Sequence, residues 1–282
     1  MTAIVLYGLR ESVRRKMFAV VLVLTVLFLA LYAWGTHAAF RDTRNFVGPG
    51  QEQLDPDVLA GAIVQGLAMF ATLFLGAVLS VFLTLNVVRG DAEAGLLQPL
   101  VVRPVGRVQL LLARFAGAAG VAAVYVLAVY AVTVAITRWA GGWTPDRVVA
   151  PGLELAGAVV VVAALALAGS VFFAPIANGI GTLMVFGGGL TAGLLGEIGH
   201  AIHSHRLAHI ARIAWWLFPF DALYEDALHR LTVDTSGFAG FVLTLGPFGG
   251  SHGAGGTLLA WSAVYLVLVS GVAVLAFSVR DL

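Results

Sequence analysis

Long runs without a charged side chain alternate with short polar segments along this chain. Residues 17–39, 58–88, 115–137 and 155–196 contain no Asp, Glu, Lys or Arg, and a further charge-free run covers 235–279. About 20 apolar residues cross the hydrocarbon core of a bilayer as a helix. The run 155–196 is too long for one crossing and is interrupted by Pro175, Asn178 and Gly179. It is read as two spans joined by a tight turn. The first half of the last run is glycine-rich around Pro247 and is read as non-spanning. The pattern thus predicts six transmembrane helices, at 17–36, 60–88, 112–137, 155–174, 180–197 and 257–279, in a single transmembrane domain covering 1–282. A transmembrane barrel is excluded, because barrel strands alternate apolar and polar residues with period two.

Two polar stretches carry helical periodicity of their own. In residues 1–16, Leu6, Leu9 and Val13 fall on one face while Tyr7, Glu11 and Arg14 fall on another. This predicts an amphipathic helix lying on the membrane surface. Between the fifth and sixth spans, Pro219 opens a helix in which Phe220, Leu223, Tyr224, Ala227, Leu228 and Leu231 recur at helical spacing. Asp221 near its start and Arg230 near its end suit the helix dipole. Trp215 and Trp216 stand where an interfacial aromatic belt would place them. These external helices are expected to be re-entrant, dipping into the outer leaflet.

Composition strengthens the membrane reading and orients it. The chain is 60% hydrophobic and 11% charged, against about 25% charged in soluble domains. Its net charge of +1 offers nothing to a nucleic acid, and it has no cysteine for disulfides, thiolate metal sites or thiol nucleophiles. With six spans both termini share one side. Nine of the sixteen basic residues then cluster there: Arg10, Arg14, Arg15, Lys16, Arg89, Arg103, Arg107, Arg114 and Arg280. The positive-inside rule makes that side cytoplasmic. The expected location is the bacterial inner membrane.

The segment 89–114, RGDAEAGLLQPLVVRPVGRVQLLLAR, is the most informative polar stretch. It holds four arginines, two acids and two prolines between two apolar spans. Its Glu93-Ala94-Gly95, Leu96-Leu97, Pro104-Val105-Gly106-Arg107 and Arg114 resemble the type-2 permease family of ATP-binding-cassette transporters, which shows an acid-x-Gly, a Leu-rich turn, a Pro-x-x-Arg and a basic residue opening the third span. The ending Phe277-Ser278-Val279-Arg280-Asp281-Leu282 and the Pro219 segment are also similar to that family. Leu96, Pro99 and Arg114 depart from its common residues. The resemblance implies a six-span exporter subunit, similar to the permeases of nitrous-oxide-reductase maturation. It also implies a cytoplasmic coupling helix using Asp91, Glu93, Gly95, Arg103, Pro104 and Arg107. Acids near such a helix's start favour the dipole's positive end, and the arginines can reach partner carboxylates. No G-x-x-x-x-G-K-S/T phosphate loop is present. ATP and Mg²⁺ are therefore expected on a separate ATPase chain, in two copies beside a permease homodimer. The bilayer is the remaining partner.

Other candidates are weaker. His200, His203, His205 and His209 invite a metal reading, but on one continuous helix they do not converge on one ion. An external site of this kind would make the chain a metal-handling or assembly protein. An intramembrane hydrolase lacks a histidine in any span. A secondary transporter would need ionisable residues near the midplane, and none lies centrally in the six predicted spans. Gly189-x-x-x-Gly193 allows close helix approach. These glycines, with Gln65 and Thr72, are expected along the route or the dimer interface.

The topology is directly testable. Because the chain has no cysteine, single cysteines report accessibility without background. Arg103→Cys should resist a membrane-impermeant thiol reagent in intact cells and react after lysis; labelling in intact cells would overturn the orientation.

Overall fold

The computed structural model describes residues 16–45, 56–85, 107–145, 147–232 and 255–279. The surface helix expected at 1–16 lies outside them except for its last residue. So do the glycine-rich stretch around Pro247, the C-terminal residues 280–282, and Asp91, Glu93, Gly95, Arg103 and Pro104 of the coupling segment. The described residues form helices without strands: α1 (Lys16–Asn45), α2 (Pro56–Thr84), α3 (Arg107–Gly141), α4 (Val149–Phe172), α5 (Pro175–Ala201), α6 (His205–Leu217), α7 (Pro219–Thr232) and α8 (Gly255–Val279). Six of them, α1 to α5 and α8, are long and apolar enough to cross a membrane.

An all-helical architecture is what a lipid solvent demands, since a helix satisfies its own backbone. The helices are arranged around α2 and α4, whose apolar windows are the most buried, while α1 and α8 are mostly uncovered. Leu73, Ala77 and Leu79 of α2 pack with Val126 of α3 and with Val159 and Val162 of α4 in one continuous core. The outward faces of α1 and α8 carry exposed Val23, Val26, Leu31, Val267 and Leu275. In water such a surface would aggregate; in a bilayer it is the solvated face.

Local chemistry explains the joints. α3 stops at Gly142, whose φ of 73° suits a residue without a Cβ, and whose N–H donates to the Arg138 carbonyl at 2.9 Å. The turn from α4 to α5 falls at Phe173 and Ala174, and α5 already begins at Pro175. The sequence reading started that helix at residue 180, treating Pro175, Asn178 and Gly179 as breakers. Proline fits the first turn of a helix, where its missing N–H costs nothing. Asn178 works as a staple: its Nδ2 donates to the Ala166 carbonyl of α4 at 2.8 Å, and its Oδ1 lies against Gly169. Two further polar knots tie the first three spans. Gln65 is fully buried; its Oε1 accepts from Thr137 at 3.0 Å and Tyr32 at 3.2 Å, and its Nε2 donates to Thr133 at 3.2 Å. Thr25 and Tyr125 share a short hydroxyl–hydroxyl hydrogen bond.

The centre of the bundle depends on one missing side chain. A Cβ on Gly76 of α2 would collide with Val126 of α3 and Val159 of α4, whereas one on Gly120 of α3 would meet nothing. Gly76→Ala should cost about 1–3 kcal/mol by overpacking. Gly120→Ala should be neutral or gain up to about 1 kcal/mol of helix propensity. Thermal unfolding in detergent of the two variants checks the ordering; equal midpoints would contradict the packing.

Candidate functional site: a buried acidic helix

Helix α7 lies in the segment between the fifth and sixth spans, which the sequence reading expects to dip into the membrane. Its helical character follows from its residues: Pro219 in the first position, Asp221 in the first turn, His229 and Arg230 in the last. An isolated helix with this pattern would turn its acids to water. In the structure every residue from Pro219 to Leu228 is buried. Helix α6 returns along α5, with Ala211 beside Gly196, and α7 then packs chiefly along α4, with α8, α2 and α5 also against it. Phe220 sits against Gly189, twelve residues before the end of α5, which is roughly 18 Å of helix rise. Leu223 reaches Gly157 of α4, and Tyr224 meets Phe70 of α2 edge-on at 6.3 Å.

This placement brings four carboxylates into the bundle. Asp221, Glu225 and Asp226 come from α7, and Glu154 comes from the first turns of α4. Arg230 answers two of them. Its Nε lies 2.6 Å from Glu154 Oε1, and its Nη2 lies 2.8 Å from Asp226 Oδ2. The guanidinium fork suits this double contact, which a lysine's single ammonium does not reproduce. Hydrogen bonding to Asp226 in turn holds the Arg230 guanidinium above its ordinary pKa. Among the described residues, the remaining Glu154 oxygen, Oε2, has no hydrogen-bond partner, and neither has the buried Tyr130 hydroxyl from α3.

The deeper pair is different. Asp221 and Glu225 lie one helical turn apart and both face Gly193 of α5. Burial pushes the Asp221 carboxyl well above the usual carboxylate range, and the neighbouring Glu225 raises it further. The same burial, with Asp221 and Glu225 nearby, raises the Tyr224 phenol. An aromatic shell closes this end: Phe186 and Phe220 are 5.5 Å apart, Phe218 and Phe220 5.8 Å, and Phe74 and Phe186 6.5 Å.

The expected site residues are distributed as follows. Gly189 and Gly193 accommodate α7 of the same chain. Gln65 belongs to the three-helix polar knot, and Thr72 is buried with its hydroxyl donating to the Ala68 carbonyl at 2.7 Å. Arg107 opens α3. The histidines do not share one helix: His200 is near the end of α5, His203 is in the turn with a φ of 55°, and His205 and His209 begin α6. His203, His205 and His209 are exposed. Among the described residues no three metal-ligating side chains are placed to hold an ion. No ionisable residue was expected centrally in a predicted span, and Glu154 lies one residue before the span predicted at 155–174. Glu154 lies within the long apolar helix α4, and α7 carries its acids into the interior. The missed signal was the concentration of Asp221, Glu225 and Asp226 on a helix whose other positions are mostly apolar.

These features define a multi-pass helical membrane protein with a charged interior. No protein-family model and no curated protein matches the chain.

Arg230 carries a clear prediction. Removing it leaves Glu154 and Asp226 buried without their shared cation, at about 3 kcal/mol or more. Arg230→Ala should lower the unfolding midpoint sharply, Arg230→Lys should recover only part of it, and adding Glu154→Gln to Arg230→Ala should restore some stability. A full-strength Arg230→Ala protein would remove the bridge from the fold's essential contacts.

Proposed function

We propose that this chain is the membrane permease subunit of an ATP-binding-cassette exporter in the bacterial inner membrane. The observation that carries the reading is the segment 89–114. It joins two consecutive apolar helices on the arginine-rich side and holds Glu93-x-Gly95 and Pro104-x-x-Arg107 in the order of the type-2 permeases. The six long apolar helices support it, and α2 and α3, which flank the segment, pack along one another. In this reading a separate ATPase binds ATP and Mg²⁺. Two ATPase copies engage the coupling segments of a permease homodimer through Asp91, Glu93, Gly95, Arg103, Pro104 and Arg107. Closure of the ATPases pushes on those segments, and the permeases alternate between inward and outward access. Both termini are cytoplasmic, and this chain is a transport subunit with no hydrolytic chemistry of its own.

A second reading draws on the buried carboxylates. Ionisable groups inside a membrane bundle commonly mark ion or proton handling, so Glu154, Asp221, Glu225 and Asp226 favour an ion-coupled secondary transporter more than the sequence alone did. The exposed, separated histidines favour metal handling less.

Charge reversal in the coupling segment separates the readings. Glu93→Arg and Arg107→Glu should leave insertion intact and should each lose a co-purifying ATPase or its transport-linked ATP hydrolysis. A wild-type chain that co-purifies with no ATPase when expressed with its chromosomal neighbours would sink the exporter reading and leave the secondary transporter.

A further inference from the structure

Helix α6 divides its circumference three ways. Leu207, Ala211 and Trp215 are half-buried and Ala214 is buried, so this side faces the bundle. His205, His209, Arg212 and Trp216 follow one another along a single helical line, and all four are exposed. Beside them Arg206, Ile210, Ile213 and Leu217 form a second exposed line. The helix carries two arginines, two histidines and no acid. Among the described residues neither arginine makes an ion pair.

The neighbouring helices fix the depth of these groups. Ala211 stands beside Gly196 and Phe218 beside Gly189, so α6 descends antiparallel to α5 over about 10 Å. The stretch of α5 apolar enough to cross a membrane ends at Gly196. His205, Arg206 and His209 therefore stand beyond the hydrocarbon, Arg212 at its edge, and Ile213, Trp216 and Leu217 alongside it. Helix α8 sets the same level independently. Its apolar stretch begins at Gly255, and Trp261 lies about 9 Å along it. The Trp261 Nε1–H donates to the Trp216 carbonyl at 3.0 Å, and the two indoles meet edge-on at 5.5 Å. Ile213 and Leu217 are 55% and 53% exposed, which water penalises and acyl chains do not. Cations at one level and uncovered apolar side chains just below it match the two layers of a lipid, phosphate and chain.

We propose that the outward face of α6 is a docking surface for anionic glycerophospholipids. Arg206 and Arg212 engage headgroup phosphates, and the acyl chains lie along Ile213 and Leu217. The guanidinium fork matches a phosphate with two parallel hydrogen bonds. Arg212, at the edge of the hydrocarbon, is long enough to lift its charge to the headgroup level. His205 and His209 add ring N–H donors on the neighbouring line. The choice of an anionic lipid follows from the charge of the face. A zwitterionic headgroup brings an ammonium with its phosphate, and this acid-free helix has no carboxylate to receive it. Because α6 leads through Phe218 directly into α7, lipid held here bears on the helix that carries the buried acids.

The experiment places a bimane label on Ile213→Cys in the full chain, which has no other cysteine. The purified protein enters vesicles of equal parts phosphatidylglycerol and phosphatidylcholine, with one or the other lipid dibrominated in its acyl chains. Quenching reports which lipid adjoins the label. Each arginine near a bilayer surface favours an anionic lipid about fivefold. Brominated phosphatidylglycerol should therefore quench more strongly than brominated phosphatidylcholine. The preference should fall in Arg206→Gln and in Arg212→Gln and be lost in the double variant. Arg138→Gln removes an exposed arginine of α3 and should leave it unchanged. Equal quenching by the two lipids with both arginines present would overturn the proposal, and that result needs no arginine variant to fold. A preference that survives the double variant, or that falls as far in Arg138→Gln, would overturn it as well. Quenching by neither lipid would show that another protein chain covers this face and would also remove the site. The measurement needs no ATPase, so failure of the exporter reading would leave it standing.

Discussion

The Arg230 guanidinium, held between Glu154 of α4 and Asp226 of its own helix, is the interaction on which the interior depends. A bundle this apolar has little means of solvating a carboxylate. Taking ions out of water costs several kcal/mol each even after relaxation, and attraction repays it only when geometry is close and the fork is shared. The 2.6 and 2.8 Å contacts meet that condition. With the bridge in place, α7 can bury Phe220, Leu223, Tyr224, Ala227 and Leu228 in the core without stranding all of its acids. Without it, the same helix would be more stable at a surface, and α2, α4 and α5 would lose a packing partner.

The glycines of α5 are the complement to that bridge. Gly189 admits the Phe220 ring and Gly193 admits two carboxyl groups, so the small-residue face serves the chain's own hairpin. Close approach of a neighbour was legible from the spacing; the neighbour's identity was not. The pairing of α5 with α6 and α7 is a contact between segments whose complementarity is in shape, and shape is absent from a one-dimensional pattern of apolar and polar letters.

The same distinction runs through the rest of the molecule. Six long apolar helices were legible because lipid exposure removes charge from long runs, a signal that is local and strong. The helix opened by Pro219 was legible from periodicity. Its packing partners were not, because only long-range packing sets Asp226 and Arg230 of this helix against Glu154 of α4. The α4–α5 turn was displaced because proline and asparagine act in two opposite ways, as helix breakers or as an N-terminal proline and a cross-helix staple. Which role they take depends on whether a carbonyl such as that of Ala166 is within reach. The coupling segment rests on motif order in 89–114, of which residues 89–106 lie outside the described residues.

The staple has a mechanical consequence. With a two-residue turn and the Asn178 amide fastened to Ala166, α4 and α5 cannot slide past each other by a full turn without breaking a buried hydrogen bond in a medium that offers no replacement. They behave as one stiff lever. Compliance must then reside in the joints at either end of it, around Gly142 before α4 and Ser204 after α5. Any large rearrangement of this bundle would rotate the lever as a unit about those two hinges.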